Sequence, residues 1–174
     1  MFLRRRVIDY FVLSLIVFNF WGLKSYGGNL QVAPAVVNEL NLLLEAAHGL
    51  HEALVEQKQD RVELGVRDTL LQIDRARDAS AKVKEHERRH LVRVLESAKT
   101  QFELVQSSSG EARREHMEQA FNQMVNLLRV YRLDRTYGIF YCPKDNTTWV
   151  QKGWKGTNPF RPNELLKCGI RVPK

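Results

Sequence analysis

The sequence predicts a mainly α protein: a four-helix up-down bundle carrying a small, disulfide-stapled C-terminal β-hairpin and loop cap. Three observations predict it. Four stretches between Pro34 and Tyr131 repeat apolar residues at three- and four-residue spacing, the pattern of helices with one buried face. The connections between these stretches are short, which makes neighbouring helices antiparallel. From Arg135 onward the composition changes, and this tail holds both cysteines, two of the three tryptophans and four of the five prolines.

The first helix starts at Pro34, a residue suited to the first helical position because its missing N–H would be unpaired there anyway. Its stripe is Val36, Leu40, Leu43, Ala47, Leu50 and Leu54, with Val37, Leu44 and Val55 beside it, and Gln57 to Asp60 reads as the turn. Val62, Val66, Leu70, Ile73 and Ala76 form the second stripe, which Asp78-Ala79-Ser80 ends. The third runs through Leu91, Val94, Leu95, Ala98, Phe102 and Val105. Ser107-Ser108-Ser109-Gly110 is a loop by composition. Met117, Ala120, Phe121, Met124, Leu127, Leu128 and Tyr131 make the fourth, with Glu111 placed to favour the positive end of that helix. None of these helices can bury its stripe alone, so the four stripes meet in one core. The bundle is expected over 34–134 and the cap over 135–174, one domain spanning 28–174.

In the tail, Gly138 to Cys142 favours a strand through its aromatic and β-branched content. Pro143-Lys144-Asp145-Asn146 reads as a turn, Thr148 to Gln151 as a second strand, and Gly153 ends it. Trp149, Trp154 and Phe160 are expected to fold back over one end of the bundle, since exposing all three would leave a large apolar patch. The same residues, with Asn158 and Pro159, are the candidate partner-binding set.

Charge and leader bound the location. The net charge of +7 is unevenly spread: eight basic and two acidic residues lie in 135–174, while the helical middle is slightly acidic. A nucleic-acid reader would show a basic helix or stripe, so that class is set aside. Arg4-Arg5-Arg6 followed by the apolar run Val7 to Trp21, with small Ser25 and Gly27 before a possible cut, reads as a secretory signal over 1–27, or as an uncleaved membrane anchor. Either places the remainder outside the cytoplasm, in a bacterial periplasm. An oxidising compartment favours a Cys142–Cys168 disulfide closing a loop of about 27 residues, worth roughly 3–4 kcal/mol on the loop-entropy account. The rival reading is a pair of thiolate ligands for Cu(I) or Zn(II), although the tail has no His and no Met to complete such a set.

Two further patterns bear on chemistry. His86-Glu87-Arg88-Arg89-His90 matches the H-E-x-x-H of zinc hydrolases letter for letter, but with arginine at both variable positions and no third ligand at a recognised spacing. Glu45-x-x-His48 and Glu87-x-x-His90 mimic the Glu-x-x-His of di-iron bundles; Glu45 lies roughly 160° from Ala47 around the helix and is expected to face water. His48 and His51 share a side, and two ligands do not make a metal site. Met117 and Met124 read as core fillers. No catalytic set emerges and no cofactor is expected.

The order Cys142-Pro143, Trp149, Asn158-Pro159-Phe160, Leu165, Cys168-Gly169 resembles the end of a periplasmic family of unknown function, found alone or appended to the membrane-fusion adaptors of copper and silver efflux systems. The resemblance covers roughly 36–170, with Ala53-Leu54 and Arg114 to Leu128 similar in layout. That family usually reads His-Cys-Pro-Met, whereas this chain reads Tyr141-Cys142-Pro143-Lys144, losing two ligands and gaining a cation. The resemblance implies a non-catalytic exported module, binding a protein partner in an envelope or metal-efflux system. The alternative it implies is a periplasmic copper-binding protein, with Cys142, Cys168, His86 and His90 as the candidate ligands. Membrane contact is expected only through a retained leader.

Overall fold

A computed structural model describes residues 30–81 and 83–174, apart from the side chains of His86 and Glu87. The leader read over 1–27 lies outside the described residues. Four long helices follow one another: α1 (Pro34–Val55), α2 (Gln59–Ser80), α3 (Glu85–Ser107) and α4 (Gly110–Val130). They are joined by the short connections that the sequence implies. The tail then forms β1 (Tyr137–Cys142), β2 (Thr147–Lys152), the single-turn α5 (Pro162–Leu165) and β3 (Ile170–Val172). Among the described residues no helix is long and apolar enough to cross a membrane.

Each helix buries the stripe predicted for it, with local exceptions. In α2 the buried positions are Val62, Val66, Thr69, Ile73, Ala76 and Ser80, so Thr69 occupies the place expected of Leu70. Thr69 tolerates this because its hydroxyl donates to the Gly65 carbonyl at 2.7 Å, satisfying it inside its own helix. The α1–α2 turn is tight: Gln57 adopts φ 55° and Lys58 N–H returns to the Ala53 carbonyl at 3.2 Å, closing the helix end. The loop before α4 shrinks to Ser108 and Ser109, because α3 continues through Ser107.

Helices α1 and α2 pack closely, as do α3 and α4, and α2 packs on α3; the first and last helices barely meet. The sheet fills the space between those two. Its order is β2-β1-β3, all antiparallel, and β2 is the strand that packs against both α4 and α1. The tail therefore lies along the flank of the bundle between α1 and α4, and its Pro159 to Pro162 stretch reaches one end of it, where the sequence had placed Phe160. Its contacts run from Glu45 on α1, which accepts from the Tyr137 hydroxyl and Lys152, to Gln57 just past the end of α1, which donates to Asn163 at 2.6 Å. From Glu45 to the helix end at Val55 is roughly 15 Å at 1.5 Å per residue. This double coverage explains why α1 buries eight positions, including His51. A third strand, β3, extends the expected hairpin.

The entry to α1 is tied to the exit of α4: Leu30 N–H donates to the Val130 carbonyl at 2.6 Å, and Arg132 N–H to Leu30 at 3.2 Å. One continuous apolar core joins both layers, from Val36 and Leu40 in α1 to Ile139, Phe140 and Trp149 in the sheet.

Candidate functional site

The two faces of the sheet do different work, because successive side chains on a strand point to opposite sides. On β1, Tyr137 and Ile139 look toward the helices. Gly138, Phe140 and Cys142 look away, toward the 153–169 excursion. That outer face has its own small core. Phe140 stacks on Trp149 at 6.2 Å between centroids, and Trp149 meets Phe160 edge-on at 6.3 Å. Phe160 in turn meets Phe121 of α4 edge-on at 5.7 Å, linking the excursion to the bundle. The disulfide Cys142–Cys168 fastens the returning chain to the end of β1. Gly156 and Gly169 cross so closely that a Cβ on either would lie 2.6 Å from the other's Cα, so only glycine fits at both places.

Polar hubs hold this excursion in shape. Asn158 is fully buried; its side-chain oxygen accepts from the N–H groups of Phe160 (2.9 Å) and Arg161 (3.3 Å), and its amide donates to Asp145 at 2.9 Å. Asp145 also accepts from Thr147 N–H and hydroxyl, which ties the β1–β2 turn to the Asn-Pro-Phe segment. Gln151 accepts from the Trp149 indole at 2.7 Å and from Thr157 N–H at 2.9 Å, and donates to the Lys155 carbonyl at 2.9 Å. Trp149, Asn158, Pro159 and Phe160, expected as cap or partner contacts, are all buried structural members.

The helix-facing side carries a second polar cluster. Glu45 accepts from the Tyr137 hydroxyl at 2.7 Å and from Lys152. Glu45 is exposed, as expected, and from the solvent edge its carboxylate also reaches the sheet. The hydrogen bond from Lys152 and then that from Tyr137 hold its carboxyl below the usual range. Burial, then the hydrogen bond to Glu45, raises the Tyr137 phenol. One turn further, His48 stacks on His51 at 5.9 Å between centroids. Burial lowers the His48 imidazole. His51 is 2 % exposed and its Nε2 hydrogen-bonds the Thr157 carbonyl at 2.8 Å; burial lowers it to about 4 against the pull of that hydrogen bond. The Nδ1 atoms of both rings are buried without a hydrogen-bond partner among the described residues.

One aromatic does not join either core. Trp154 follows the β2 terminus, after Gly153 at φ 92°, and is 82 % exposed, where folding back was expected. Arg171 on β3 reaches it: the guanidinium carbon lies 4.0 Å from the centre of the indole ring. To get there the Arg171 side chain passes over Gly138, where a Cβ would come within 2.7 Å of its Nε. Its Nη1 also donates to the Gly153 carbonyl at 3.5 Å. Ile170, next along β3, is 55 % exposed on the other side of the strand. The sequence singled out Trp154 but missed Arg171; the alternation Ile170-Arg171-Val172 after Cys168-Gly169 was the available strand signal.

A groove of about 300 Å³ sits at the end of the bundle, lined by Leu54, Gly110, Met117, Pro159, Phe160 and Pro162, with Arg113 and Arg114 beside them. Both cations are already paired, Arg113 with Glu63 and Arg114 with Glu111 and Glu118. Of the H-E-x-x-H pattern, His86 and Glu87 lie outside the described side chains, and His90 is exposed with Nδ1 2.9 Å from the Tyr131 hydroxyl. Among the described residues no three His, Cys, Asp or Glu side chains converge as a metal site would need. The two sulfurs bond to each other, so neither presents the thiolate that the soft-metal alternative called for. Compared with family models, curated proteins and solved structures, the chain finds no match.

Proposed function

We propose that this chain is an exported, non-catalytic module that binds a protein partner of the bacterial envelope through the surface marked by Trp154 and Arg171. The carrying observation is the exposure of Trp154 beside a sheet in which Tyr137, Phe140 and Trp149 are buried. Tryptophan and arginine are the side chains most enriched at the energetic centres of protein interfaces. Here the pair stands on a support that a disulfide, the Gly156–Gly169 crossing and the Asn158 and Gln151 hubs make rigid, so little ordering cost is left for binding. The leader pattern and the disulfide support export to an oxidising compartment, of which the periplasm is our reading. The resemblance of the Cys-Pro, Trp, Asn-Pro-Phe, Cys-Gly order to a periplasmic family associated with copper and silver efflux adaptors supports a partner in such a system. The test is a photo-crosslinking amino acid placed at Trp154 in cells, with Glu103 on α3 as the control position. A discrete protein adduct specific to position 154 is expected; equal labelling from both positions, or from neither, would remove the reading.

A further inference from the structure

We infer that the Trp154–Arg171 surface recognises an acidic protein segment, one that presents a carboxylate beside an apolar or aromatic side chain. This rests on the proposed partner-binding role and adds the chemistry of the partner.

The first argument is charge. The tail carries eight basic and two acidic residues. Both acids are engaged internally: Asp145 with Asn158 and Thr147, and Glu164 with Arg161. Lys152 is occupied by Glu45. Among the described residues Arg171 makes no ion pair, and neither does Lys155, which follows Trp154 directly, so no described carboxylate offsets the positive charge around the exposed indole. A complementary partner brings carboxylates.

The second argument is geometry. Arg171 is held in place, lying across Gly138, stacked at 4.0 Å on the Trp154 ring and touching the Gly153 carbonyl. A guanidinium stacked on an aromatic face keeps its in-plane N–H groups free for a bidentate carboxylate. The indole is 82 % exposed even with the guanidinium above it, and offers apolar contact next to that carboxylate. A fixed, directional fork suits a carboxylate held by a protein. Binding to an anionic lipid surface relies instead on several mobile cations and an amphipathic helix. Ile170, 55 % exposed on the other side of β3, adds a second apolar contact for a segment that wraps the strand edge.

The test uses the mature protein and a labelled, end-capped Glu-Phe-Glu-Phe-Glu peptide, followed by fluorescence anisotropy. Gln-Phe-Gln-Phe-Gln and Lys-Phe-Lys-Phe-Lys peptides and phosphatidylglycerol vesicles are run in parallel. The expected result is saturable binding of the glutamate peptide alone, weakened roughly tenfold or more in Arg171→Ala and in Trp154→Ala. Arg171→Lys should recover little, because it keeps the charge but loses the fork and the stack. Circular dichroism confirms that the variants are folded. Equal binding of the glutamine peptide, full activity of Arg171→Lys, or preference for the vesicles would each overturn the inference. A protein adduct at position 154 in cells without glutamate selectivity in vitro would overturn the acidic chemistry and leave the partner-binding role standing.

Discussion

His51 in the first helix hydrogen-bonds the backbone carbonyl of Thr157, 106 residues later, at 2.8 Å and with the imidazole almost wholly buried. A neutral ring donates this bond from Nε2 and leaves an unprotonated Nδ1 without a partner among the described residues. A proton added there would place an uncompensated charge between helix and sheet. The folded-state pKa, about 4, lies below the value of 6.5 of an unperturbed imidazole. The unfolded chain therefore binds this proton first as pH falls, and the native state is penalised from pH 6.5 down to about 4. Above pH 6.5 the penalty is absent. The loss at the acid end is on the order of 3 kcal/mol. Urea midpoints measured from pH 7.5 to 4 should fall over this window in the wild type and much less in His51→Gln. A parallel decline in both would show that the buried ring is not its source.

Reduction of Cys142–Cys168 should loosen the excursion more than the helices. The bond pins the 153–169 segment to β1, while the helix stripes meet without it. On the loop-entropy account the loss is roughly 3–4 kcal/mol. A double Cys→Ser variant should show that drop in urea stability while keeping most of its helical circular dichroism. Unchanged stability would mean that the strand pairing and the aromatic core hold the tail unaided.

The two tail tryptophans should behave oppositely. Trp149 is fully buried between Phe140 and Phe160, and Trp149→Ala should cost about 3–5 kcal/mol, as large aromatic truncations do. Trp154→Ala should move stability by no more than about 0.5 kcal/mol, since it removes an exposed ring. Thermal or urea melts of the two variants check this directly. A large loss on removing Trp154 would show that its stacking on Arg171 holds β3 in place.

Asn158→Ala removes the acceptor for two backbone N–H groups and the donor to Asp145 in a fully buried position. A cost of about 1–3 kcal/mol is expected, mostly from polar groups left unpaired. Asn158→Asp should cost at least as much, because it sets a second carboxylate against Asp145, which is 2.9 Å away. Equilibrium unfolding of both variants, compared with Asn163→Ala at the exposed surface, distinguishes this from a general loop effect.

Much of this was readable from residue order. Val36 to Leu54, Val62 to Ala76, Leu91 to Val105 and Met117 to Tyr131 marked the helix faces, because burying one side of a helix leaves a period that survives in the sequence. Gly138 to Cys142 and Thr148 to Gln151 marked the paired strands, and the two cysteines of the tail marked its covalent link. What the sequence by itself determined, then, was which residues are inside and which segments are helix or strand. The tertiary structure decided where the tail lies, that Glu45 and His51 answer to it, that Trp154 stays outside, and that Arg171 reaches it over Gly138. These depend on contacts between residues up to 107 positions apart, such as Glu45 with Lys152. Side-chain periodicity reports the neighbours along one element, and it carries no information about which face of another element will arrive there.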